Sequence, residues 1–184
     1  MLVSDKNKLV FLAPPKTGTR TIYSILKKYY GTKLIEEHGQ ILRRKEQQEY
    51  YTFIVSRNPY DRMCSGYWAC CQRSGDKYRY KEYLGPNNTL AEFIKRFAGT
   101  RRCMPTQAVY HMNNKIDKIL EFDNLEQEFN QLPFLNQYHE LPTLNKTSNE
   151  RPHWTKMLTE EAVTIINSIY KCDFELLKYE MIKV

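Results

Sequence analysis

Two short segments carry groups that could bind and move an anion. The first is Pro15-Lys16-Thr17-Gly18-Thr19-Arg20-Thr21. A phosphate loop needs inward-pointing backbone N–H groups, a glycine that lets the chain approach the anion, and a helix N-terminus behind it. This segment offers the glycine, cations at Lys16 and Arg20, and hydroxyls at Thr17, Thr19 and Thr21. It is not the nucleoside-triphosphatase loop G-x-x-x-x-G-K-[ST], because Lys16 precedes Gly18 instead of following it. Nor does an aspartate close an apolar strand as a metal ligand, Asp123 after Phe122 excepted. In isolation the segment reads equally well as a turn without a ligand.

The second segment is Val55-Ser56-Arg57-Asn58-Pro59-Tyr60-Asp61-Arg62, followed by Ser65 and Tyr67. A guanidinium at Arg57 and a hydroxyl at Ser65 could together hold one phosphate. Read alone, Arg57 could instead pair with Asp61 at a helix start.

Alternating elements must position these segments. Lys8–Ala13 is an apolar strand stopped by Pro14-Pro15. Ile22, Ile25, Leu26 and Tyr29 then fall on one face of a helix over Thr21–Tyr30, with Gly31 as its C-cap. Lys33–Ile35 is a short strand. Tyr51–Ser56 is β-branched and aromatic, hence a strand, and Asn58-Pro59 opens a helix reaching Cys71. Arg73–Asn88 reads as a surface loop. Thr89 and Glu92 form a capping box for a helix to Phe97. Lys115–Phe122 is a third strand candidate, Asn124–Leu132 a helix, and Pro133–Arg151 irregular. Thr159–Tyr170 is an amphipathic helix, and Asp173–Tyr179 a last helical turn. The alternation predicts an α/β fold, a mostly parallel β-sheet flanked by helices, in one domain over residues 1–184. Such sheets place ligands at the carboxyl ends of their strands, where both segments lie.

Composition narrows the partners. There are 28 Lys+Arg against 21 Asp+Glu, a net charge of +7. This welcomes a phosphate or sulfate ligand, although basic residues that merely keep the surface soluble explain it as well. With 41% hydrophobic residues the chain can build a core. The longest apolar run, Leu9–Ala13, is too short to cross a bilayer, and Met1–Lys8 has no signal-peptide pattern. The chain therefore reads as cytoplasmic or soluble, or as a piece of an anchored Golgi-type protein. Its 5 cysteines are odd in number and contain no C-x-x-C pair, which favours buried reduced thiols over a disulfide framework or a zinc site. One bridge from Cys70 or Cys71 to Cys103 or Cys172 would fit a luminal compartment.

Together, Pro15–Thr21 and Arg57–Tyr67 resemble the signature of sulfotransferases that use 3′-phosphoadenosine 5′-phosphosulfate (PAPS): a P-K-T-G-T-[TS]-[ST]-like loop and an R-N-P-x-[DE]-R-x-x-S-x-[YW] segment. Phe122–Glu126 resembles the family's F-E-N-L segment, and Asp173–Tyr179 its terminal D-F-E-L-F-G-Y. Leu144–Thr147 with Arg151-Pro152 resembles the late loop that closes over the cofactor. The likeness covers nearly the whole chain and is nearest to the membrane-type carbohydrate sulfotransferases. Arg20 departs from the pattern, standing where the family usually has Thr or Ser.

The resemblance implies a P-loop-like sulfotransferase fold and in-line transfer of a sulfuryl group to an acceptor hydroxyl, with a carbohydrate favoured as acceptor. Lys16 would stabilise the leaving group. Pro15, Lys16, Thr17, Gly18, Thr19, Arg20 and Thr21 would hold the 5′-phosphosulfate, Arg57 and Ser65 the 3′-phosphate, and Lys146 and Arg151 would belong to the late cofactor loop. The scheme requires no metal. A base is also needed, and His38 in Glu36-Glu37-His38-Gly39 stands near the point where the family places a His or Glu. An imidazole with an ordinary pKa of about 6.5 suits proton removal at neutral pH. Glu36 and Glu37 are the fallbacks. Arg43, Arg44, Lys45, Arg101 and Arg102 could guide an anionic glycan or simply form solvated faces, Tyr78, Tyr80 and Tyr83 could stack on sugar rings or cover the core, and Gln107 and Tyr110 could face the acceptor. The competing readings are a nucleotide kinase of related P-loop fold and a non-enzymatic polyanion binder. No recognised nucleic-acid module is present.

Overall fold

The computed structural model of the chain describes residues 1–36, 38–40, 45–72, 89–100, 104–142 and 151–184. Glu37, Arg43, Arg44, Tyr78, Tyr80, Tyr83, Arg101, Arg102 and Lys146 lie outside them, as does the loop expected over Arg73–Asn88. In chain order the elements are β1 (Leu2–Ser4), β2 (Leu9–Leu12), α1 (Thr19–Tyr30), β3 (Lys33–Leu34), β4 (Tyr51–Ser56), α2 (Pro59–Tyr67), α3 (Leu90–Phe97), α4 (Ala108–Met112), β5 (Lys118–Glu121), α5 (Leu125–Phe129), α6 (Glu160–Ile169) and α7 (Lys171–Leu177). They fall into two compact units, Met1–Arg57 with Gln107–Asn145 and Asn58–Thr106 with Lys146–Val184.

The first unit holds a five-stranded sheet in the order β3-β1-β2-β4-β5. Strands β2, β4 and β5 are parallel, as the alternation of strands and helices predicts. The sheet as a whole is mixed, because β1 lies antiparallel to both β2 and β3. Side chains alternate across it. Leu9, Phe11, Phe53, Val55 and Leu120 face one layer, where α1 buries Ile22, Ile25, Leu26 and Tyr30. Val10, Leu12 and Ile54 face the other, with Tyr110 of α4. Phe11 and Phe53, paired across β2 and β4, stack with centroids 4.8 Å apart. Fully burying each such side chain stabilises the fold by about 1.5–3 kcal/mol.

Helix α1 begins two residues earlier than its apolar face predicts, because Gly18, at φ 77°, takes the N-cap position. It ends at Gly31, whose left-handed φ of 59° lets its N–H return to the Leu26 carbonyl. Strand β5 starts only at Lys118, after Asp117 has anchored on Thr52. The Asp117 N–H donates to the Thr52 carbonyl at 2.8 Å, and its carboxylate accepts the Thr52 N–H at 2.8 Å.

The second unit is helical. Helix α2 opens as its sequence predicts, with Pro59 at the first helical position and the Asn58 side chain accepting the Tyr60 N–H at 2.9 Å. The reciprocal Thr89–Glu92 capping box opens α3, and Thr159 caps α6 through the Ala162 N–H. The core of this unit joins Tyr60, Met63 and Cys64 of α2 to Phe93 and Ile94 of α3, Val163 and Ile166 of α6, and Phe174 of α7. No helix among the described residues is long and apolar enough to cross a membrane.

Candidate functional site

Strand order locates the site before any side chain is considered. From β2 the chain passes through α1 to β3 on one side of the sheet, and from β4 it goes on to β5 on the other. The order therefore reverses between β2 and β4, and open α/β sheets bind ligands at the carboxyl ends of their strands where such a reversal occurs. The Pro14–Gly18 turn leaves β2 there, and Arg57 directly follows β4. Strand β3 also runs parallel to β2, since both are antiparallel to β1, so the residues after Leu34 emerge at the same end.

The turn is braced from within. The Pro14 carbonyl accepts the hydroxyls of Thr17 at 2.8 Å and Thr19 at 3.2 Å, and Thr21 donates to the Pro142 carbonyl at 3.1 Å. In this arrangement the three hydroxyl protons are committed to carbonyls, and the turn offers an anion its backbone N–H groups and its cations. Gly18 is required twice over. Its φ of 77° is left-handed, and a Cβ there would stand 3.0 Å from Leu125 Cδ2 and 3.3 Å from Phe122 Cε2. As N-cap it contributes no side-chain bond, and the first turn of α1 contains no acidic residue. The positive end of this 12-residue helix is thus oriented to the turn without a capping carboxylate, which suits a phosphate or sulfate. Pro15 is buried, Lys16 half-buried and Arg20 exposed.

Arg57 joins the second segment to the first. Its Nη1 donates to the Lys16 carbonyl at 2.8 Å, and its guanidinium lies 3.9 Å from the centroid of the Phe122 ring. Lys16 itself has φ 69°, a left-handed conformation that costs a non-glycine residue about 1–2 kcal/mol. Arg57 is 7% exposed. Lys16 and Arg20 thus lie in or directly after the turn that follows β2, and Arg57 is tied to the same turn through the Lys16 carbonyl.

His38 reaches the same edge. Its Nδ1 lies 2.9 Å from the carbonyl oxygen of Ala13, the residue after β2. A carbonyl only accepts, so Nδ1 carries a proton, and in the neutral tautomer this leaves Nε2 as the basic nitrogen. His38 is left-handed as well, at φ 53°. The two residues expected to do chemistry are thus two of the four non-glycine residues with positive φ among the described residues.

The remaining site residues belong to the second unit or lie outside the described residues. Ser65 is buried on α2, at 3% exposure. Arg151 donates from Nη1 to Asp61 Oδ1 at 2.9 Å, so Asp61 has a partner in its own unit. His153 is exposed, with Nδ1 2.8 Å from the Thr155 hydroxyl. Lys146 is outside the described residues.

Gln107 and Tyr110 correct the expectation that they face an acceptor. Both are fully buried. The Gln107 side chain accepts the Arg57 N–H at 2.9 Å and donates to the Arg57 carbonyl at 2.8 Å, while the Tyr110 hydroxyl donates to the His38 carbonyl at 3.1 Å. Their polar ends point to the candidate site's own backbone. A contact between positions 57 and 107 leaves no local pattern in the sequence that could have revealed it.

The family model described as "Sulfotransferase family" matches residues 1–180. No curated protein and no solved structure matches the chain.

Proposed function

The chain belongs to the sulfotransferase family, and from that premise we propose that it transfers the sulfuryl group of PAPS to a hydroxyl, with a carbohydrate as the favoured acceptor. The observation that carries this reading is the bond from Arg57 to the Lys16 carbonyl, which links the two anion-binding segments at the switch point of the sheet.

Sulfuryl transfer resembles phosphoryl transfer, in which catalysis is mainly positioning and charge stabilisation. The bond from sulfur to the donor phosphate breaks, and a bond from sulfur to the acceptor oxygen forms. Lys16 stabilises the negative charge that gathers on the departing oxygen. The N–H groups of Thr17 to Thr21, with Arg20, hold the 5′-phosphosulfate. Arg57 holds the 3′-phosphate, and Ser65 joins it in this role on the strength of the R-N-P-x-D-R-x-x-S-x-Y motif alone. His38 takes the acceptor proton on Nε2, the nitrogen left basic by the bond from Nδ1 to Ala13.

Incubating the protein with ³⁵S-labelled PAPS and a panel of desulfated glycosaminoglycans, tyrosine peptides and small alcohols tests the reading. Label should move to at least one glycan. Lys16→Ala should slow that transfer on the order of 100- to 1,000-fold. Transfer to none of the panel, or transfer that Lys16→Ala leaves unchanged, would sink it.

A further inference from the structure

Three polar side chains on and beside the short helix α4 reach backbone groups around the candidate site. Gln107, Tyr110 and Asn114 are spaced three and four residues apart, so they share one side of α4 and its flanks. Gln107 meets both backbone groups of Arg57. Tyr110 holds the carbonyl of His38. Asn114 Nδ2 donates to the Gln40 carbonyl at 2.7 Å and to the Tyr110 carbonyl at 2.7 Å, and the Tyr110 N–H returns to the Gln107 carbonyl at 3.1 Å. We infer that Gln107, Tyr110 and Asn114 are positioning residues through which one helix holds the donor-binding Arg57 and the His38 segment in register.

The chemistry of the Gln107 contact supports this. The ladder between β4 and β5 reaches the pair Ser56 and Glu121 and stops. Arg57 sits one residue beyond it, where a strand neighbour would ordinarily fix the backbone. A primary amide presents one donor and one acceptor side by side, the pattern a neighbouring strand would present. Gln107 therefore extends the ladder by one residue with a side chain, and Arg57 leaves the sheet with its N–H and C=O directions set. Neither a carboxylate nor a thioether can do this, since the first lacks the donor and the second both polar groups.

The His38 contact works on the other half. A residue at positive φ is held by what surrounds it, because its own backbone prefers to relax. The Tyr110 hydroxyl fixes the carbonyl of that strained residue, and Asn114 fixes the carbonyl two residues on. With the backbone pinned, the ring stays on the Ala13 carbonyl and Nε2 remains the basic nitrogen. Because Gln107, Tyr110 and Asn114 are bonded to one another through α4, a displacement of this helix would move both halves.

The inference rests on the reading of Arg57 and His38 given above, so its test separates the two. The probes are PAP (3′-phosphoadenosine 5′-phosphate) affinity by calorimetry and the ¹⁵N signals of the His38 ring, which report its tautomer without an acceptor. Gln107→Glu should weaken PAP binding about tenfold and leave the His38 tautomer unchanged. Tyr110→Phe removes only the hydroxyl and keeps the α4 backbone bond to the Gln107 carbonyl, so it should leave PAP affinity within about twofold and release the ring into both tautomers. General loss of stability would move neither readout in the folded protein. If Gln107→Glu does not fold, Gln107→Met, of similar volume, replaces it. If neither folds, Tyr110→Phe decides: an unmoved His38 signal overturns the inference, and a mixed tautomer at unchanged affinity supports it. Wild-type affinity and tautomer in both variants, while Arg57→Ala loses PAP, would overturn the inference and leave the donor reading standing. Wild-type protein that does not bind PAP would remove both.

Discussion

The imidazole of His139 sits 4% exposed among Tyr29, Tyr30 and Phe129, with Nε2 3.0 Å from the Tyr30 hydroxyl. Asn130 holds the backbone of the same residue, accepting its N–H at 2.7 Å and donating to its carbonyl at 2.9 Å. Burial penalises the charged ring and pushes its pKa below the ordinary 6.5. The sign follows from linkage. An unfolded chain takes up the proton at higher pH than the folded one, so protons favour unfolding in that window. The contribution of His139 to stability is complete above about pH 6.5 and is lost as pH falls through the depressed folded value. Melting temperatures between pH 7.5 and pH 5 should therefore fall less steeply in His139→Gln than in the wild type. Parallel slopes would contradict the assignment. This histidine, one of three that follow His38 in the sequence, supports the fold beneath α1, and nothing local in the sequence separates it from a reactive one.

Among the elements, α2 and α7 are joined by a charge pair with no access to water. Arg62 and Asp173 are both 0% exposed and lie 3.6 Å apart. Arg62 Nη2 also donates to the Pro105 carbonyl at 2.7 Å, and its guanidinium lies 5.1 Å from the centroid of the Tyr170 ring. Its Nε and Nη1 are buried without a hydrogen-bond partner among the described residues. An arrangement so incompletely satisfied is costly to break and cheap to replace. Asp173→Ala should destabilise the protein by about 3–5 kcal/mol in urea, and adding Arg62→Met should recover most of that loss. A double variant no more stable than the single one would show that the pair contributes more than charge balance. The same elements show how far sequence reading reaches. Strand β4 and helix α1 were legible because a β-branched run and an apolar stripe are local patterns. Strand β1, three residues long, exists because β2 and β3 flank it, and α4, five residues long with no side-chain cap, is too short to show a period. Lys16 and Arg57 stand out in the sequence through their motifs. The bond between them, and the α4 contacts that hold Arg57 and His38, are tertiary and left no local trace.

At the scale of the whole molecule, the +7 charge admits two explanations that make opposite predictions. If the surplus is a general polyanion surface, many polyanions should bind alike, with affinity falling steeply as salt rises. If Lys16, Arg20 and Arg57 form one site, a single small nucleotide should stabilise the fold saturably. A ligand at 100 times its dissociation constant stabilises the native state by about 2.7 kcal/mol. For a chain of this size each kcal/mol moves the melting temperature by roughly 2–4 °C, so PAP should raise it by about 5–11 °C. All three cations belong to the unit that contains the sheet, so the rise should appear at least in the transition that melts that unit. Arg57→Ala should abolish the rise, and inorganic polyphosphate at equal phosphate concentration should give much less of it. A rise equal for PAP and polyphosphate, and removed alike by salt, would instead assign the charge to the surface as a whole and deny the turn after β2 its special role.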